Sequence, residues 1–277
     1  PDIWFDNSDQ YLAYGALDSI AALGTNAVRV VWETTGGSAA LLRRILRHVV
    51  ELKMIPILEL HDVTGKTDNA SLLAMANYYA SADVKQVLLD YEEFLLINIA
   101  NEWSGTDYRN GYSAAISALR AAGINHTLVI DANGFGQNAM SIFTDGAALM
   151  AADSQHNLVF SVHMYDAFSA ARGGGDAMIT STLQQAVTAG LPLIVGEFGW
   201  QGGTPPVAVD ASFIMSECAR LKLGSLAWSW KGNDTSLSYL DLAVDWEGMQ
   251  LSSWGTQVTQ GASAITATAK RASIFSL

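Results

Sequence analysis

Short apolar segments alternate with amphipathic stretches along the whole chain. Seven segments have the length and composition of buried β-strands: residues 27–32, 54–61, 95–101, 127–132, 158–165, 191–198 and 225–230. They are apolar throughout, as expected for parallel strands whose sheet is covered on both faces. The stretches between them have helical patterns, and several end in a glycine directly before the next strand, as helix C-caps do. Clear examples are residues 38–53, 111–123 and 178–190.

This alternation predicts a fold built from βα units. Seven strands, each followed by a helix, favour a TIM-type (β/α)8 barrel in which one strand is not recognised. An open doubly wound sheet is the alternative, but no glycine-rich phosphate turn follows the first strand and no GxGxxG motif occurs. The 277 residues contain no linker, low-complexity stretch or repeat. Because barrels of this size form one unit, we expect a single domain over residues 1–277.

Polar and aromatic residues gather where the predicted strands end. They are Trp32 and Glu33, His61 and Asp62, Asn101 and Glu102, Asp131, His163 and Tyr165, Glu197, and Trp228 with Trp230. The residues at which the strands begin, such as Ala27, Met54 and Leu95, are apolar. Active sites of barrels lie at the C-terminal ends of the strands. We therefore expect a binding cleft at that end and a face that serves stability at the other.

Two strand ends present a glutamate beside aromatic residues: Glu102 in "INIANEWSG" and Glu197 in "LIVGEFGW". Glycoside hydrolysis needs such a pair, because one acid protonates the leaving oxygen while the other carboxylate attacks or activates water. Carboxyl groups about 5–5.5 Å apart indicate retention of configuration, and a wider separation indicates inversion. One of the two would have to be protonated near the working pH while the other is ionised. Nearby tryptophans and tyrosines supply flat apolar faces for sugar rings.

Charge and cysteine content argue against other classes of function. The chain has 27 acidic and 15 basic residues, a formal net charge of −12, and no basic stripe, so nucleic acid and anionic membranes are poor partners. No apolar run reaches the length of a membrane span. The single Cys218 cannot form an internal disulfide, and no CxxC motif or His/Cys cluster suggests zinc. We expect a neutral substrate and no metal or other cofactor.

Eight segments, in order along nearly the whole chain, carry a resemblance to a known family. They are "TNAVRVV" (25–31), "LELHDVTG" (58–65), "INIANEWSGT" (97–106), "AAGINHTLVIDANGFGQN" (121–138), "VFSVHMYD" (159–166), "LIVGEFGW" (193–200), "LAWSWKGN" (226–233) and "YLDLAVDWEG" with "LSSWG" (239–255). With these segments the chain resembles glycoside hydrolase family 5 of clan A. "ANEW", where Asn-Glu-Pro is commoner, together with "WSWKGN" narrows the resemblance to bacterial endo-β-1,4-mannanases.

The resemblance implies roles for the matching residues. Glu102 matches the general acid/base, Glu197 the nucleophile, and Arg29 an arginine beneath the nucleophile whose charge favours the ionised carboxylate. The other implied binding residues are Asn101 at the sugar 2-hydroxyl, Tyr165 on the nucleophile, His61 and His163 in the cleft, and Trp228 under the sugar. Strand alternation makes Trp230 a second candidate for that indole.

The remaining tryptophans divide into two groups. Trp32, Trp103 and Trp200 lie beside the strand-end acids, and we expect them to be sugar platforms. We expect Trp4, Trp246 and Trp254 in the core or packed under loops. Asp131 could cap the loop that follows it, so it is assigned no chemistry.

Two features depart from the family pattern. The first strand of the family is not recognisable upstream of "DIWFDNS", so strand one is expected to be truncated, absent or supplied otherwise. Phe135 stands where relatives tend to have tryptophan, which could reshape a subsite.

The sequence therefore predicts a secreted, monomeric, endo-acting and retaining β-1,4-mannanase that acts on mannan or glucomannan. A β-1,4-glucanase of the same family shares the catalytic residues and is the nearest alternative. A sugar-binding barrel that has lost catalysis is a second. A metal-dependent hydrolase built on His61, Asp62 and His163 is a third, although no HxH pair on strand one supports it.

Overall fold

The computed structural model describes residues 1–5 and 10–276. Its strands are β1 (Asp2–Trp4), β2 (Ala27–Trp32), β3 (Ile55–Leu60), β4 (Leu96–Asn98), β5 (Thr127–Asp131), β6 (Leu158–Met164), β7 (Leu193–Phe198), β8 (Gln201–Gly202), β9 (Val207–Ala208) and β10 (Gly224–Ala227). The α-helices are α1 (Gln10–Ala22), α2 (Ala39–Glu51), α3 (Asn69–Ala80), α4 (Ala82–Asp90), α5 (Tyr108–Ala121), α6 (Ala139–Ala152), α7 (Asp176–Ala189), α8 (Ala211–Leu221), α9 (Ser253–Thr259) and α10 (Ile265–Thr268). None of the described helices is long and apolar enough to cross a membrane.

Eight parallel strands form the barrel, in the order β1-β2-β3-β4-β5-β6-β7-β10. The ring is nearly closed between its two ends, where the backbone N–H of Trp230 donates to the carbonyl of Asp2 at 2.8 Å. The strands β8 and β9 form a separate antiparallel hairpin in the loop after β7. The predicted (β/α)8 barrel is confirmed, and the open sheet is excluded as the alternative.

The first barrel strand is present and only three residues long. Asp2, Ile3 and Trp4 pair in parallel with Arg29, Val30 and Val31 of β2. The first strand is therefore supplied by this chain, and the alternatives of an absent strand or one supplied from elsewhere are wrong. Three residues are too few to show the period by which a strand is recognised in a sequence.

Side chains of each strand point alternately into the barrel and toward the surrounding helices. Along β2, Arg29 and Val31 face the interior, where Val31 packs with Trp228. The ring of Trp32 faces outward, and its N–H donates to the hydroxyl of Tyr78 on α3 at 2.9 Å. This alternation decides which strand residues can reach a ligand.

The barrel interior is layered. Its base is an apolar cluster of Ile57, Leu96, Val129, Val159, Ile194 and Leu226. Two residues further along the same strands comes a polar layer that includes Glu59, Asn98, Asp131 and Ser161. The apolar base separates this polar layer from water at the N-terminal end of the barrel, so its charges are buried and interact strongly.

The helices bury one face against the barrel, and four of those described (α2, α3, α8 and α9) begin at a side-chain cap. In α2, the Ser38 side chain accepts a hydrogen bond from the N–H of Leu41, which satisfies a free donor of the first turn. Its buried residues are Leu42, Ile45, Leu46 and Val49, the i, i+3, i+4, i+7 stripe of an amphipathic helix.

Candidate active site

A cleft of about 720 Å³ opens at the C-terminal ends of the barrel strands, where the sequence predicts it. Its described lining is Trp4, His61, Thr64, Asn101, Glu102, Phe135, Gln137, Tyr165, Asp166, Glu197, Gly202, Gly203, Thr204, Trp228, Gly232, Asn233, Asp234, Leu237, Tyr239 and Leu240. This lining contains four carboxylates and neither lysine nor arginine. Such a surface suits a neutral or cationic ligand and repels a polyanion.

Glu102 and Glu197 meet in this cleft although 95 positions separate them in the chain. A carboxylate oxygen of one lies within 4.8 Å of a carboxylate oxygen of the other. Both residues are largely buried, with 8% and 4% of their surfaces exposed. A close pair of carboxyl groups has the spacing of retaining glycosidases, because inverting enzymes must leave room for a water molecule.

Both oxygens of Glu197 accept hydrogen bonds from the protein. Nη1 of Arg29 donates to Oε1 at 2.7 Å, and the hydroxyl of Tyr165 donates to Oε2 at 2.9 Å. Burial, followed by the charge of Glu197, raises the pKa of Tyr165 well above its ordinary value, so its hydroxyl stays a donor. Donors on both oxygens fix the orientation of the carboxylate.

Arg29 lies beneath the cleft and is 1% exposed. Besides Glu197, its guanidinium donates to Asn98 Oδ1 at 2.9 Å and 3.1 Å, to Asn101 Oδ1 at 2.6 Å and to Asp2 Oδ1 at 3.2 Å. Burial alone would lower its pKa, but Glu59, Glu197 and the other carboxylates raise it well above the ordinary value. Arg29 therefore contacts Glu197 and Asn101 from below and does not belong to the described cleft lining.

Glu102 has a different environment from Glu197. Burial raises its pKa, a hydrogen bond from His163 lowers it, and the charge of Glu197 raises it, with a net increase. Nδ1 of His163 lies 2.8 Å from Oε1 of Glu102. A buried acid with a raised pKa beside a hydrogen-bonded carboxylate is the pairing that general acid catalysis requires.

His163 is fully buried and links the two carboxylates. Its Nδ1 lies 3.7 Å from Glu197 Oε1, and its Nε2 lies 3.5 Å from Asp131 Oδ2. Burial disfavours its cationic form, but Glu197 and Asp131 raise its pKa well above the ordinary value. The predicted cleft histidine therefore lies buried behind Glu102, outside the described cleft lining, among carboxylates that favour its cationic form.

Aromatic rings form one wall of the cleft. The ring of Trp228, whose peptide bond to Ser229 is cis, stacks with His61 at 5.7 Å between centroids and 22° between planes. The ring of Trp4 meets His61 and Trp228 edge-on, at 4.7 Å and 5.4 Å. Burial would lower the pKa of His61, but Glu59, whose Oε1 is 2.9 Å from Nδ1, raises it. Trp228 and His61 line the cleft as predicted, and Trp4 joins them, which corrects its assignment to the core.

Three predicted sugar platforms are wrong, because their rings lie in the protein interior. Trp32, Trp103 and Trp230 are each at most 1% exposed. Their indole N–H groups donate at 2.9 Å to Tyr78, to the Asp68 carbonyl and to the Trp246 carbonyl, respectively. Trp32 faces the helices, and β10 ends at Ala227, so strand alternation does not extend to Trp230.

The other tryptophans outside the cleft lining support its walls or the core. Trp200 packs against the cluster of Val31, Trp228 and Leu240, and its N–H donates to the Tyr239 carbonyl at 2.9 Å. It backs the wall of the cleft, and the described lining does not include it, so the expected platform is not supported. Trp254 is 2% exposed and lies in the core as expected, and Trp246 is half-buried.

Several residues of the buried polar layer were not assigned from the sequence: Asp2, Glu59, Asn98 and Asp131. Each contacts Arg29 or a group bonded to it. Their common signal is a lone polar residue, at an inward-facing position, in a strand that is otherwise mostly apolar. Thr64 was also missed; its hydroxyl accepts from Asn101 Nδ2 at 2.9 Å and lies in the cleft lining.

The close approach of Glu102, His163 and Glu197 also resembles a metal site, since one potential ligand atom of each lies within 4.8 Å of the others. The surrounding charges do not fit this use. Metal binding requires a neutral imidazole, whereas the pKa of His163 is raised well above its ordinary value, and Arg29 already contacts Glu197. The alternative set with His61 and Asp62 does not converge either, because Asp62 accepts from Thr34 and His61 pairs with Glu59.

Comparison with known proteins agrees with this geometry. The family model Cellulase (glycosyl hydrolase family 5) matches residues 4–234. A mannan endo-1,4-beta-mannosidase from Salipaludibacillus agaradhaerens is 36% identical over 269 residues, which are 94% of this chain and 84% of that protein. A beta-mannanase/endoglucanase A from Caldicellulosiruptor saccharolyticus is 36% identical over 255 residues, which are 87% of this chain and 18% of that protein.

A solved structure agrees as well. The mannohexaose complex of the beta-mannanase from Thermomonospora fusca superposes with a TM-score of 0.87 at 35% identity, over 99% of this chain and 92% of that one. The resemblance predicted from the sequence is confirmed: the chain belongs to glycosyl hydrolase family 5.

Proposed function

We propose that this protein is an endo-acting, retaining β-1,4-mannanase, with Glu102 as general acid/base and Glu197 as nucleophile. The observation that carries the proposal is the approach of the two carboxylates to within 4.8 Å in one cleft. The names of the Salipaludibacillus and Thermomonospora relatives support mannan as the substrate and endo cleavage as the mode.

In the first step, an oxygen of Glu197 attacks the anomeric carbon of the sugar in the cleft. The glycosidic C–O bond breaks, its electron pair stays on the leaving oxygen, and the Glu102 carboxyl gives that oxygen its proton. A glycosyl ester on Glu197 results. Arg29 and Tyr165, which bond the two oxygens of Glu197, orient the attack.

In the second step, water hydrolyses the ester. The charge of Glu197 disappears when the ester forms, which removes one of the causes that raise the pKa of Glu102. Glu102 is then a carboxylate that takes a proton from water, while the water oxygen bonds to the anomeric carbon and frees Glu197. The product has the configuration of the substrate.

The roles of the two glutamates are tested with azide as an external nucleophile. Glu197→Ala should release reducing ends from mannan about 10³-fold more slowly or worse, and with azide and an activated aryl β-mannobioside it should form the α-glycosyl azide. Glu102→Ala should instead give the β-glycosyl azide, because the ester on Glu197 still forms. The control Glu217→Gln, a buried carboxylate paired with Arg220 on α8, should keep full activity. Full activity of Glu197→Ala, or the β-azide from it, contradicts the proposal.

A β-1,4-glucanase is the second candidate, since the Caldicellulosiruptor relative carries both activities in its name. Turnover of pure mannan, glucomannan and carboxymethylcellulose should be measured side by side. A mannanase cleaves the first two and leaves carboxymethylcellulose nearly intact, and the acidic cleft lining also disfavours that polyanion. Uncharged cellohexaose is therefore the better substrate with which to test for glucanase activity. Faster cleavage of cellohexaose than of mannohexaose favours the glucanase.

The proposal also covers where the protein acts, its oligomeric state and its partners. A polysaccharide is too large to enter a cell, so we propose that the protein acts outside it. One barrel holds both carboxylates, so a monomer suffices for catalysis. The net charge of −12 disfavours nucleic acid and anionic membranes as partners.

A further inference from the structure

Asp131, at the end of β5, is fully buried and bonded to groups on both sides of the site. Its Oδ2 accepts a hydrogen bond from the backbone N–H of Glu102 at 3.0 Å, and its Oδ1 accepts one from Nδ2 of Asn98 at 3.1 Å. Its Oδ2 also lies 3.5 Å from Nε2 of His163 and 3.8 Å from Nη2 of Arg29. It does not belong to the described cleft lining, so any role in catalysis is indirect.

The bond to the Glu102 backbone matters because of the conformation of that residue. Glu102 has φ of 48°, in the left-handed region that is strained for a non-glycine residue. This conformation turns the chain sharply after Asn101, so that two consecutive side chains both line the cleft. Asp131 holds the N–H side of this turn. The carbonyl side accepts hydrogen bonds from the N–H of Gly65 and the hydroxyl of Ser104, both at 3.1 Å.

The second contact of Asp131 is with His163, the partner of the Glu102 side chain. His163 is the direct partner of Glu102 Oε1, and Asp131 is the carboxylate at the other nitrogen of the same ring. An anion at Nε2 favours a proton on each ring nitrogen, which leaves the Nδ1 proton directed at Glu102. Asp131 thus contacts the backbone of Glu102 directly and reaches its side chain through His163.

We propose that Asp131 is a positioning residue for the general acid/base: it fixes the left-handed backbone of Glu102 and orients His163 against the Glu102 carboxyl. This inference rests on the proposed function, since it assigns a positioning residue to Glu102, one of the two glutamates of that function. Glu197 is held by other groups, Arg29 and Tyr165. Loss of Asp131 should therefore harm the steps that need Glu102 far more than the attack by Glu197.

Asparagine cannot replace Asp131 in this arrangement. Both carboxylate oxygens accept from N–H donors, one on Asn98 and one on Glu102. An amide has a single oxygen, so Asp131→Asn leaves one of these donors facing an NH2 group. The variant keeps the size of the side chain and removes the function that the proposal assigns to it. Asp131→Ala, which leaves room for water, is the second variant if Asp131→Asn fails to fold.

The test compares two substrates that differ in their need for an acid. Mannohexaose has a poor leaving group that must be protonated, whereas 2,4-dinitrophenyl β-mannobioside has a leaving group that departs unprotonated. For Asp131→Asn, kcat/KM should fall about 100-fold on mannohexaose and at most about 5-fold on the aryl substrate. This difference between the substrates is the readout that a merely structural role does not produce.

The matched control is Asp153→Asn. Asp153 is also fully buried, accepts two hydrogen bonds from Arg120 and two from backbone N–H groups, and lies before β6 at the opposite end of the barrel. It should lose thermal stability and keep the wild-type ratio of the two substrates. Equal losses on both substrates in the Asp131 variants, within a factor of about 2 and with folding checked by circular dichroism, overturn the inference. Failure of the wild-type protein to cleave mannohexaose would overturn the proposed function instead.

Discussion

At the scale of single residues, His163 sets the ionisation of its neighbour Glu102. Burial and the charge of Glu197 raise the pKa of Glu102, whereas the hydrogen bond and the charge of His163 lower it. Since Glu102 must be protonated to act as an acid, kcat/KM falls as the pH rises through its pKa. His163→Asn removes the two largest causes that lower this pKa and leaves only the charge of His61 acting in that direction, so the alkaline limb of the kcat/KM profile should move to higher pH.

The measurement is kcat/KM on mannohexaose across the neutral and alkaline range. The control His126→Asn replaces another buried histidine, whose Nε2 bonds the Leu88 carbonyl and which lies before β5 at the far end of the barrel. His126→Asn should not shift the alkaline limb of the kcat/KM profile. An alkaline limb of His163→Asn that stays in place or moves to lower pH contradicts the assignment of Glu102 as the acid.

Asp2 should make the stability of the fold depend on pH. Burial raises its pKa from 3.8 to about 7, Arg29 opposes this shift, and Glu197 and Glu59 add to it. A carboxyl group whose pKa is raised by folding stabilises the fold below its unfolded pKa, and this contribution is lost as the pH rises through about 7. Asp2→Asn stays neutral and keeps an oxygen for Arg29, so its Tm relative to wild type should be higher above pH 7 than near pH 5.

Thermal unfolding at several pH values tests this sign. The difference should amount to several degrees, because 1 kcal/mol corresponds to about 2–4 °C in a domain of this size. Asp153 provides the opposite case: burial would raise its pKa, but Arg120 lowers it, so Asp153→Asn should lose Tm at neutral pH. A Tm difference for Asp2→Asn that shrinks with rising pH would show that Asp2 is ionised in the folded protein.

The sequence predicts charged residues of the site better than aromatic ones. Glu102 and Glu197 could be assigned from their places at the ends of apolar strands, whereas the role of Arg29 is what the family resemblance implies. Tryptophan is equally suited to a core and to a sugar platform. Trp103 directly follows Glu102 in the chain, yet its ring turns into the interior, and Trp4, expected in the core, lies in the cleft.

At the scale of elements, Trp103 fastens the loop after β4 to α5. Its ring lies edge-on against Tyr112 at 5.5 Å and covers Gly111 of the helix. A methyl group at Gly111 would overlap the Trp103 ring, whereas one at Gly15 in α1 meets nothing within 4 Å. Gly111→Ala should therefore destabilise the fold by about 1–3 kcal/mol through overpacking, although alanine favours helix.

Gly15→Ala is the matched control, because it makes the same change in the interior of another helix. It should leave the free energy of unfolding unchanged or raise it by up to about 1 kcal/mol. Urea unfolding of both variants measures the difference. A Gly111→Ala variant as stable as Gly15→Ala would mean that the Trp103 ring can move away and does not fasten the loop.

The longer barrel strands could be predicted well from the sequence, and the shortest strands could not. The segment 54–61 predicts β3, which spans Ile55–Leu60. The segment 95–101 predicts a longer strand than β4, which ends at Asn98 because the chain bends there to bring Asn101 and Glu102 over the barrel. The three residues of β1 and the two-residue strands β8 and β9 depend on their partners and carry no period of their own.

At the scale of the whole molecule, the two ends of the barrel have separate tasks. The C-terminal strand ends carry the cleft, whereas the last described residues cross the N-terminal end. There the Lys270 carbonyl accepts from Asn26 Nδ2 at 2.8 Å, and the ring of Phe275 stacks on Phe94 at 5.3 Å with 12° between planes. The ammonium group of Lys53 lies 5.7 Å from the centre of the Phe275 ring. This polar/apolar division between the two ends of the barrel could be predicted from the strand-end residues alone. The contacts of Lys270 and Phe275 could not, because they depend on the path of the chain after the barrel.

Phe275→Ala and Phe135→Ala should separate these tasks. Loss of the Phe275 stack and its contact with Lys53 should destabilise the fold by about 1–2 kcal/mol, which lowers Tm by a few degrees, with kcat and KM unchanged below Tm. Phe135 is 54% exposed at the rim of the cleft and rests on Gly65. Its removal should leave Tm unchanged and raise KM for mannohexaose about 3- to 10-fold, the equivalent of one aromatic contact.

The two variants remove the same side chain from opposite ends of one barrel, so each is the control of the other. Differential scanning calorimetry gives Tm, and initial rates on mannohexaose give kcat and KM for the same preparations. A change of KM in Phe275→Ala would mean that the N-terminal end is coupled to the cleft through the barrel. An unchanged KM in Phe135→Ala would mean that the bound glycan does not reach Phe135. On the Phe135 side of the cleft, the binding surface would then end at Glu102.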